Sequence, residues 1–407
     1  MPFSFYTAKR LITDKKGFAS AIVKIGLVAV GVSVAVMIGS LAIMQGYKQE
    51  ILSKLSGFNA HIVISSLDFN ESDDAQPLTL DYALNDSIKL INGVQHIQFF
   101  AHKAGIIQTT EHIEGIVIKG IDSAYQTDFI ESSLVKGKLP DLKNEAISND
   151  ILISSYMADR LSLDTGTQVT VYFIQDQNQP VRVRRYGICG IFKTGMEDFD
   201  RNFALGDIRH IKRLYNWNEN QVEGIEIITD DFKQVDRITE DIYAMCGPFY
   251  SVNHIRELKP QLFDWLGLLD TNVLIIMVLM TLVAVINMVT SLLILIVERT
   301  KMIGILKSMG TTNVQIQNIF IWKAAYLIGI GLLIGNALAL GFGYLQNKFT
   351  LIRLDPDSYY LDKVPFHFAW DGILLINLLT FLVCLLAMLI PARMVNRINT
   401  IDAIRFE

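Results

Sequence analysis

The amino-acid sequence predicts a membrane α-helical protein: four transmembrane helices in a one-plus-three order, with a large α+β domain inserted between helices 1 and 2. Three observations predict it. Four apolar stretches, with cores at residues 19–44, 273–297, 319–345 and 368–390, each exceed the roughly 20 residues a helix needs to cross a hydrocarbon core. Residues 45–267 instead show the mixed polar and apolar pattern of a folded, water-exposed domain. The composition agrees with such a split, since 51% hydrophobic residues and a mean hydropathy of +0.34 are too apolar for a soluble chain and too polar for a membrane-only one.

Residues 1–18 interleave Phe3, Phe5, Tyr6, Leu11 and Ile12 with Lys and Arg. That suits a short cytoplasmic helix lying in the membrane interface, and an ordinary overhang fits nearly as well. Helix 1 (19–44) is too long for a signal-peptide core, and no Ala-x-Ala site follows Met44, so an anchor is expected. Orientation follows from basic residues near the spans. Lys9, Arg10, Lys15 and Lys16 precede helix 1; Arg299, Lys301 and Lys307 follow helix 2 (268–297); Arg393, Arg397 and Arg405 follow helix 4 (368–390). The opposite loop, 346–367, offsets Lys348, Arg353 and Lys363 with Asp355, Asp357 and Asp362. Both termini are therefore predicted cytoplasmic and the 45–267 domain external.

Within that domain, β-branched content and alternation predict strands at 60–65, 113–119, 168–173, 181–192 and 222–228. Helical periodicity predicts helices at 81–91, 149–161, 207–215 and 232–243, with Asn149 or Asp150 and then Asp207 as caps. The acidic stretch 67–77 reads as an exposed loop, and the whole as an α+β domain open to division into two lobes. In helix 3 (319–345), Gly331, Gly335, Ala339 and Gly343 recur every fourth residue; in helix 1, Gly31, Ala35 and Gly39 do the same. Such ridges let helix backbones approach closely.

The chemistry the sequence omits narrows the function. No Gly-rich loop ending in Gly-Lys-Ser/Thr occurs, nor a Gly-x-Ser-x-Gly elbow, nor His spacing suited to a metal. No metal and no directly bound cofactor are expected. Of the three cysteines, Cys384 lies in helix 4, and Cys189 and Cys246 lie in the external domain; a buried thiol is the better reading of Cys189, and a pairing with Cys246 stays open. A net charge of −5 speaks against nucleic acid. Lys24, Lys323 and Asp371 sit near span ends, where they can reach an interface. With no ionisable residue near a midplane, an ion-driven transporter is disfavoured, and any energy source belongs to a partner.

The segment 298–318 is a short loop between helices 2 and 3. It opens with ERTKMIGILKSMG at 298–310, an amphipathic run whose Gly304 and Gly310 permit a bend and a stop. Read by itself, it is an interfacial turn. It resembles the E-R-x-x-E-I-G-I-L-K-A-L-G loop of FtsX/MacB-type permeases of ABC transporters, which have one-plus-three spans; Lys301-Met302 depart from that pattern. Within the tail 391–407, PAR at 391–393 and NTIDAIRFE at 399–407 resemble the family's terminal P-A-R…D-P-x-x-A-L-R-x-E. Residues 146–161 followed by GTQV at 166–169 resemble its helix-then-G-D-x-V element.

Three further segments resemble the lipoprotein-releasing permeases of the LolC/LolE kind: MQGYKQE at 44–50, EDFDRNFA at 197–204, and DPDSYYLDKVP at 355–365. The link 174–180 is shorter than the hook by which LolC-type subunits engage a periplasmic carrier, so contact with a LolA-like carrier is left open. The resemblance implies a MacB-like periplasmic domain and an inner-membrane location. It implies a LolD-like ATPase partner that binds ATP and Mg²⁺, a second permease copy or homologue, and lipoprotein cargo drawn from among membrane lipids. It implies that Arg299, Met302, Ile303, Gly304, Ile305, Leu306, Met309 and Gly310 form the ATPase-coupling helix, and that Met44, Tyr47, Phe263 and Leu266 line the substrate path. An FtsX-like subunit that activates a periplasmic hydrolase, a MacB-like efflux permease and a membrane-anchored sensor or scaffold are the alternatives.

Overall fold

A computed structural model of the chain describes residues 19–67, 75–109, 112–173, 180–355 and 359–397. The interfacial segment 1–18, residues 68–74 of the acidic loop, residues 174–179 of the short link and the tail from 398 lie outside the described residues. The chain forms two compact units: residues 1–49, 264–353 and 363–407, and residues 50–263 with 354–362.

The elements begin with helix α1 (Ala19–Asn59), strands β1 (Ile62–Ser66) and β2 (Leu78–Thr79), helix α2 (Tyr82–Lys89), and strands β3 (Val94–Gln108) and β4 (Ile113–Ile121). Next come α3 (Asp128–Ser132), β5 (Leu134–Gly137), β6 (Asp150–Ser154), α4 (Ser155–Leu161), β7 (Gln168–Phe173) and β8 (Arg182–Phe192). Then follow α5 (Glu197–Asn202), β9 (Phe203–Asp207), α6 (Ile208–Tyr215), β10 (Gln221–Val222), β11 (Gly224–Thr229), α7 (Val235–Cys246), β12 (Tyr250–His254) and α8 (Ile255–Leu258). The chain closes with α9 (Pro260–Glu298), α10 (Thr300–Ser308), α11 (Asn313–Phe349), α12 (Trp370–Ala387) and α13 (Leu389–Ala392).

The first unit is a bundle. Four helices, α1, α9, α11 and the one starting at Trp370, are long and apolar enough to cross a membrane. Their inner faces share one core containing Val34, Ile38, Met288, Phe320, Ile328, Ile376 and Cys384. Their outer faces are apolar too: Leu274, Val278, Leu282 and Ile286 on α9 are all exposed. Apolar residues on every face suit a helix whose solvent is lipid. Pro260 starts α9, where a missing N–H costs nothing. Thr312 and Gln315 form a reciprocal capping box that starts α11 sharply after the preceding turn.

The second unit is an α+β domain. One ten-stranded sheet contains β12-β1-β11-β3-β4-β9-β6-β8-β5, and β7 bridges β3 and β8. Six strands, β3-β4-β9-β6-β8-β7, thus pair in a closed ring, and β11, β1 and β12 extend the sheet beyond β3. The sheet runs unbroken through β3. Residues of β3 up to Phe100 pair with β11, and those from Phe100 pair with β4.

The predicted strands at 60–65, 113–119, 168–173, 181–192 and 222–228 correspond to β1, β4, β7, β8 and β11. Asp207 caps α6 through its carboxylate, as expected, and Asp81 does the same for α2. The predicted helix at 149–161 divides instead: Asp150–Ser154 is strand β6, and Ser154 rather than Asn149 or Asp150 caps the helix behind it. Ile151, Leu152 and Ile153 are consecutive and fully buried, a pattern that suits a strand covered on both faces. Strand β3 escaped prediction because its polar members hide their stems. Lys103 is buried with its ammonium 4.2 Å from the Tyr215 ring, and Gln98 is buried as well.

Helix α1 carries no basic residue in its last turn to complement its C-terminal carbonyls. The sheet supplies one. Lys119 of β4 is fully buried; its Nζ donates to the Phe58 carbonyl at 2.5 Å and to Glu226 Oε1 of β11 at 2.6 Å. Tyr125 Oη donates to the same Phe58 carbonyl at 3.2 Å, and Gln98 Nε2 of β3 donates to Glu226 Oε2 at 2.7 Å. The rings of Phe58, Tyr125 and Phe100 stand 5.0, 5.3 and 5.6 Å from the ammonium. Burial pulls the Lys119 ammonium below its usual range while Glu226 opposes that, and burial pushes the Tyr125 phenol well up. Replacing Lys119 by Met leaves Glu226 buried without its partner and is expected to cost about 3–5 kcal/mol. Replacing both residues (Lys119→Met with Glu226→Gln) is expected to cost less than the single change, as read by urea unfolding of the purified full chain.

His61, just after α1, yields a pH prediction. The Thr229 amide donates to its Nδ1 at 3.0 Å, which requires an unprotonated nitrogen there. Burial lowers its pKa from 6.5 to about 4. The folded state thus favours the neutral ring, and its stabilising effect is complete above pH 6.5 and fades as pH falls toward 4. Between pH 7 and pH 5 the folded domain should lose about 2 kcal/mol through this group. A His61→Gln variant should show a shallower loss over the same interval in the same unfolding assay.

Candidate coupling helix and membrane packing faces

The 298–310 segment folds as the last turn of α9, a junction at Arg299, helix α10 and a left-handed stop at Gly310, where φ is +88°. Positive φ is the conformation in which glycine carries no penalty. The helix divides its residues by face. Ile303 and Gly304 are buried, and Met302 and Leu306 pack against the core of the bundle. Glu298, Lys301, Ile305, Ser308 and Met309 are exposed, at spacings of three and four. Ile305 is 49% exposed and Met309 77%, and Val314 at the start of α11 is 63% exposed.

Two polar contacts tie this region to the end of the last span. Lys307 Nζ donates to the Val395 carbonyl at 2.9 Å, and Gln317 Nε2 to Asn396 Oδ1 at 2.9 Å. Among the eight predicted coupling residues, Ile305, Met309 and Gly310 are thus placed outward. Met302, Ile303, Gly304 and Leu306 seat the helix, and Arg299 lies at the junction.

The two small-residue ridges meet each other. A Cβ on Gly335 would stand 2.7 Å from the Gly31 carbonyl and 2.7 Å from Val34 Cβ; one on Gly331 would stand 2.8 Å from Val30. Helices α1 and α11 therefore touch backbone to backbone. Ala339 is buried, Ala35 packs at the edge of the same core, and Gly343 accommodates the Phe366 and Phe368 rings. Gly39 faces open space, with no atom within 4 Å of a Cβ.

Sequence reasoning missed one polar pair inside the bundle. Asn336 of α11 and Asn377 of α12 exchange amide hydrogen bonds at 2.7 and 3.1 Å. Each also donates to the carbonyl four residues back, Leu332 and Ile373. A midspan Asn in each of two adjacent helices is the signal that would have found it, since amides serve as glue where lipid offers no partner.

The four predicted path residues occupy different surroundings. Tyr47 and Leu266 are buried in the first unit, where Tyr47 meets Trp265 edge-on at 5.6 Å and Met44 is half-buried nearby in sequence. Phe263 belongs to the second unit, stacked on Phe232 at 6.0 Å. Lys48 and Asp270 pair at 2.5 Å between α1 and α9. Cys189, Cys246 and Cys384 are free thiols. No group of three or more His, Cys, Asp or Glu suited to a metal occurs among the described residues.

Residues 26–244 match the MacB-like periplasmic core domain family, and residues 274–400 match the FtsX-like permease C-terminal family. The chain is 24% identical to the lipoprotein-releasing system transmembrane protein LolC of Xylella fastidiosa, covering 100% of this chain and 99% of that protein. It is 23% identical to the corresponding protein LolE of Haemophilus influenzae, over 93% of each. A solved structure of the extracellular domain of the ABC-type transporter YknZ aligns with 47% of this chain and 98% of its own, with 17% identity and a TM-score of 0.34.

The glycine contacts generate a discriminating pair of variants. Gly335→Ala forces a carbon against the Gly31 carbonyl and is expected to lower the melting temperature of the detergent-purified chain by several degrees. Gly39→Ala, introduced into open space on the same ridge of α1, is expected to leave it within one degree.

Proposed function

Because the chain belongs to the FtsX/MacB-type permeases of ABC transporters, we propose that it is the permease subunit of a machine that extracts lipid-anchored proteins from the inner membrane and hands them to a periplasmic carrier. The observation that carries this reading is the match to lipoprotein-releasing proteins over the whole chain, both membrane helices and inserted domain. The permease pairs with a second copy or homologue and with two ATPase subunits, which bind ATP and Mg²⁺. Both termini and helix α10 face the cytoplasm, and the α+β domain faces the periplasm.

The exposed face of α10 supplies the ATPase contact. Ile305 and Met309, with Val314 beside them in sequence, present apolar side chains that suit a groove on a partner, and Lys301 presents a charge at its rim. Closure of the ATPases on ATP displaces this face. Met302, Ile303 and Leu306, embedded in the bundle, carry the displacement into α9 and α11, and Lys307 carries it to the end of the last span. Acyl chains enter between the first and second spans of opposed subunits, past Met44, Tyr47 and Leu266, and leave toward the domain beyond Phe263.

The coupling assignment is tested on the exposed residues, whose replacement leaves the bundle intact. Ile305→Asp or Met309→Asp is expected to cut ATPase co-purification at least tenfold from native membranes, with the permease still present at wild-type level. Retention of the ATPase by both variants would remove the coupling role from α10.

A further inference from the structure

Parts of three segments that the sequence sets apart meet within the periplasmic domain: Lys54 after the first span, the turn shaped by Asp200, and Tyr360 with Asp362. Lys54 of α1 donates from Nζ to the Tyr360 carbonyl at 2.8 Å. Asp362 of the same loop, Glu50 and Asp200 all lie close enough to act on the Lys54 charge, against the burial that lowers its pKa. Beside Lys54 stands Gly195, whose Cβ would fall 2.7 Å from Nζ and whose φ is +71°. The turn that contains Gly195 is shaped by Asp200. Its Oδ1 accepts from the Thr194 amide at 3.0 Å and the Thr194 hydroxyl at 2.9 Å, and its Oδ2 accepts from the Gly195 amide at 3.0 Å.

The loop is prepared for this contact. Leu354 N donates to the Asp362 carbonyl and Tyr359 N to the Asp355 carbonyl, each at 3.0 Å. Tyr360 adopts φ +59°, a left-handed conformation uncommon for a residue with a bulky side chain, and its ring packs beside the core that holds Leu55, Phe58 and Phe199. A backbone in that conformation persists where its surroundings over-determine it. Leu354, Asp355 and residues 359–362 accordingly cluster with the periplasmic domain, although the described chain on either side belongs to the bundle.

We propose that Lys54 is a positioning residue that latches the loop 354–362 onto the periplasmic domain, which makes the connection between the last two spans a second mechanical attachment of that domain. The latch stands on geometry; its consequence, that motion of α11 and α12 reaches the domain through it, rests on the transport reading.

Hydrogen–deuterium exchange on the full complex in nanodiscs tests the latch directly. Lys54→Met is expected to raise exchange at least tenfold at the Leu354 and Tyr359 amides, with β3 and β8 unchanged and Lys54→Arg close to wild type. Gly195→Ala, which keeps the charge but displaces Nζ, should act in the same direction and serves if Lys54→Met disturbs the sheet. Wild-type exchange at 354–362 in both variants, with β3 still protected, overturns the latch. For the consequence, ATP turnover by the co-purified ATPase should stay within twofold in Lys54→Met, while ATP-dependent release of a labelled lipid-anchored protein falls at least fivefold. Unchanged release overturns the positioning role. No release by the wild-type complex would count against the transport reading itself and leaves the exchange result to decide the latch.

Discussion

The structure depends on how a transmembrane helix ends inside a β-sheet. Helix α1 leaves its last carbonyls pointing at a buried surface, where an unpaired acceptor is costly. Lys119 resolves this with one ammonium that serves Phe58 and Glu226 at once. The charge is tolerated because its counter-charge is buried with it and three aromatic faces surround it. The contributors come from α1, from β3, β4 and β11, and from Tyr125 after β4. Strand β3 lies between the other two strands, so the knot holds together the two halves of the domain as well as the helix end. Such a pair specifies geometry more than it adds stability, since two well-packed apolar residues would cost less to bury.

The membrane bundle is held by different means, for a physical reason. Burying leucine against leucine gains little when lipid is the alternative. Close approach and polar pairing remain. The approach of Gly335 to the Gly31 carbonyl lets α1 and α11 touch over their backbones, and the Asn336–Asn377 pair fixes α11 against α12. Helix α10 is seated on this same bundle. Its buried residues touch the shared core, and Lys307 reaches the residues that follow α13.

Much of this was legible in the sequence where one force dominates. Length and hydropathy place the four spans because a bilayer admits few alternatives. Asp207 marks a helix start because a carboxylate at that position satisfies a backbone amide directly. The small-residue ridges were readable as packing faces, but not which glycine meets which neighbour: Gly31 and Gly39 look alike in sequence, and only one has a partner. The 298–310 segment was legible as an amphipathic turn between two spans, whereas its division into seated and exposed residues depends on how α10 is rotated between α9 and α11. Strand β6 read as helix because its apolar run is as short as a helical turn pair, and the covering elements that make it a strand are distant in sequence. The Lys119 network was invisible, since nothing local distinguishes that lysine from the exposed ones around it.

These arrangements divide the labour of a machine that must both move and stay folded. Where two elements must keep one geometry, the protein uses contacts that fail if displaced by an ångström: a backbone-to-backbone glycine crossing, a reciprocal amide pair, a charge with no water to retreat to. Tyr360 belongs to this first class in its backbone, whose carbonyl Lys54 holds. On the outer face of α10, where the proposed ATPase contact lies, flexible apolar side chains such as Met309 stay exposed, and such side chains adapt to a groove at little cost.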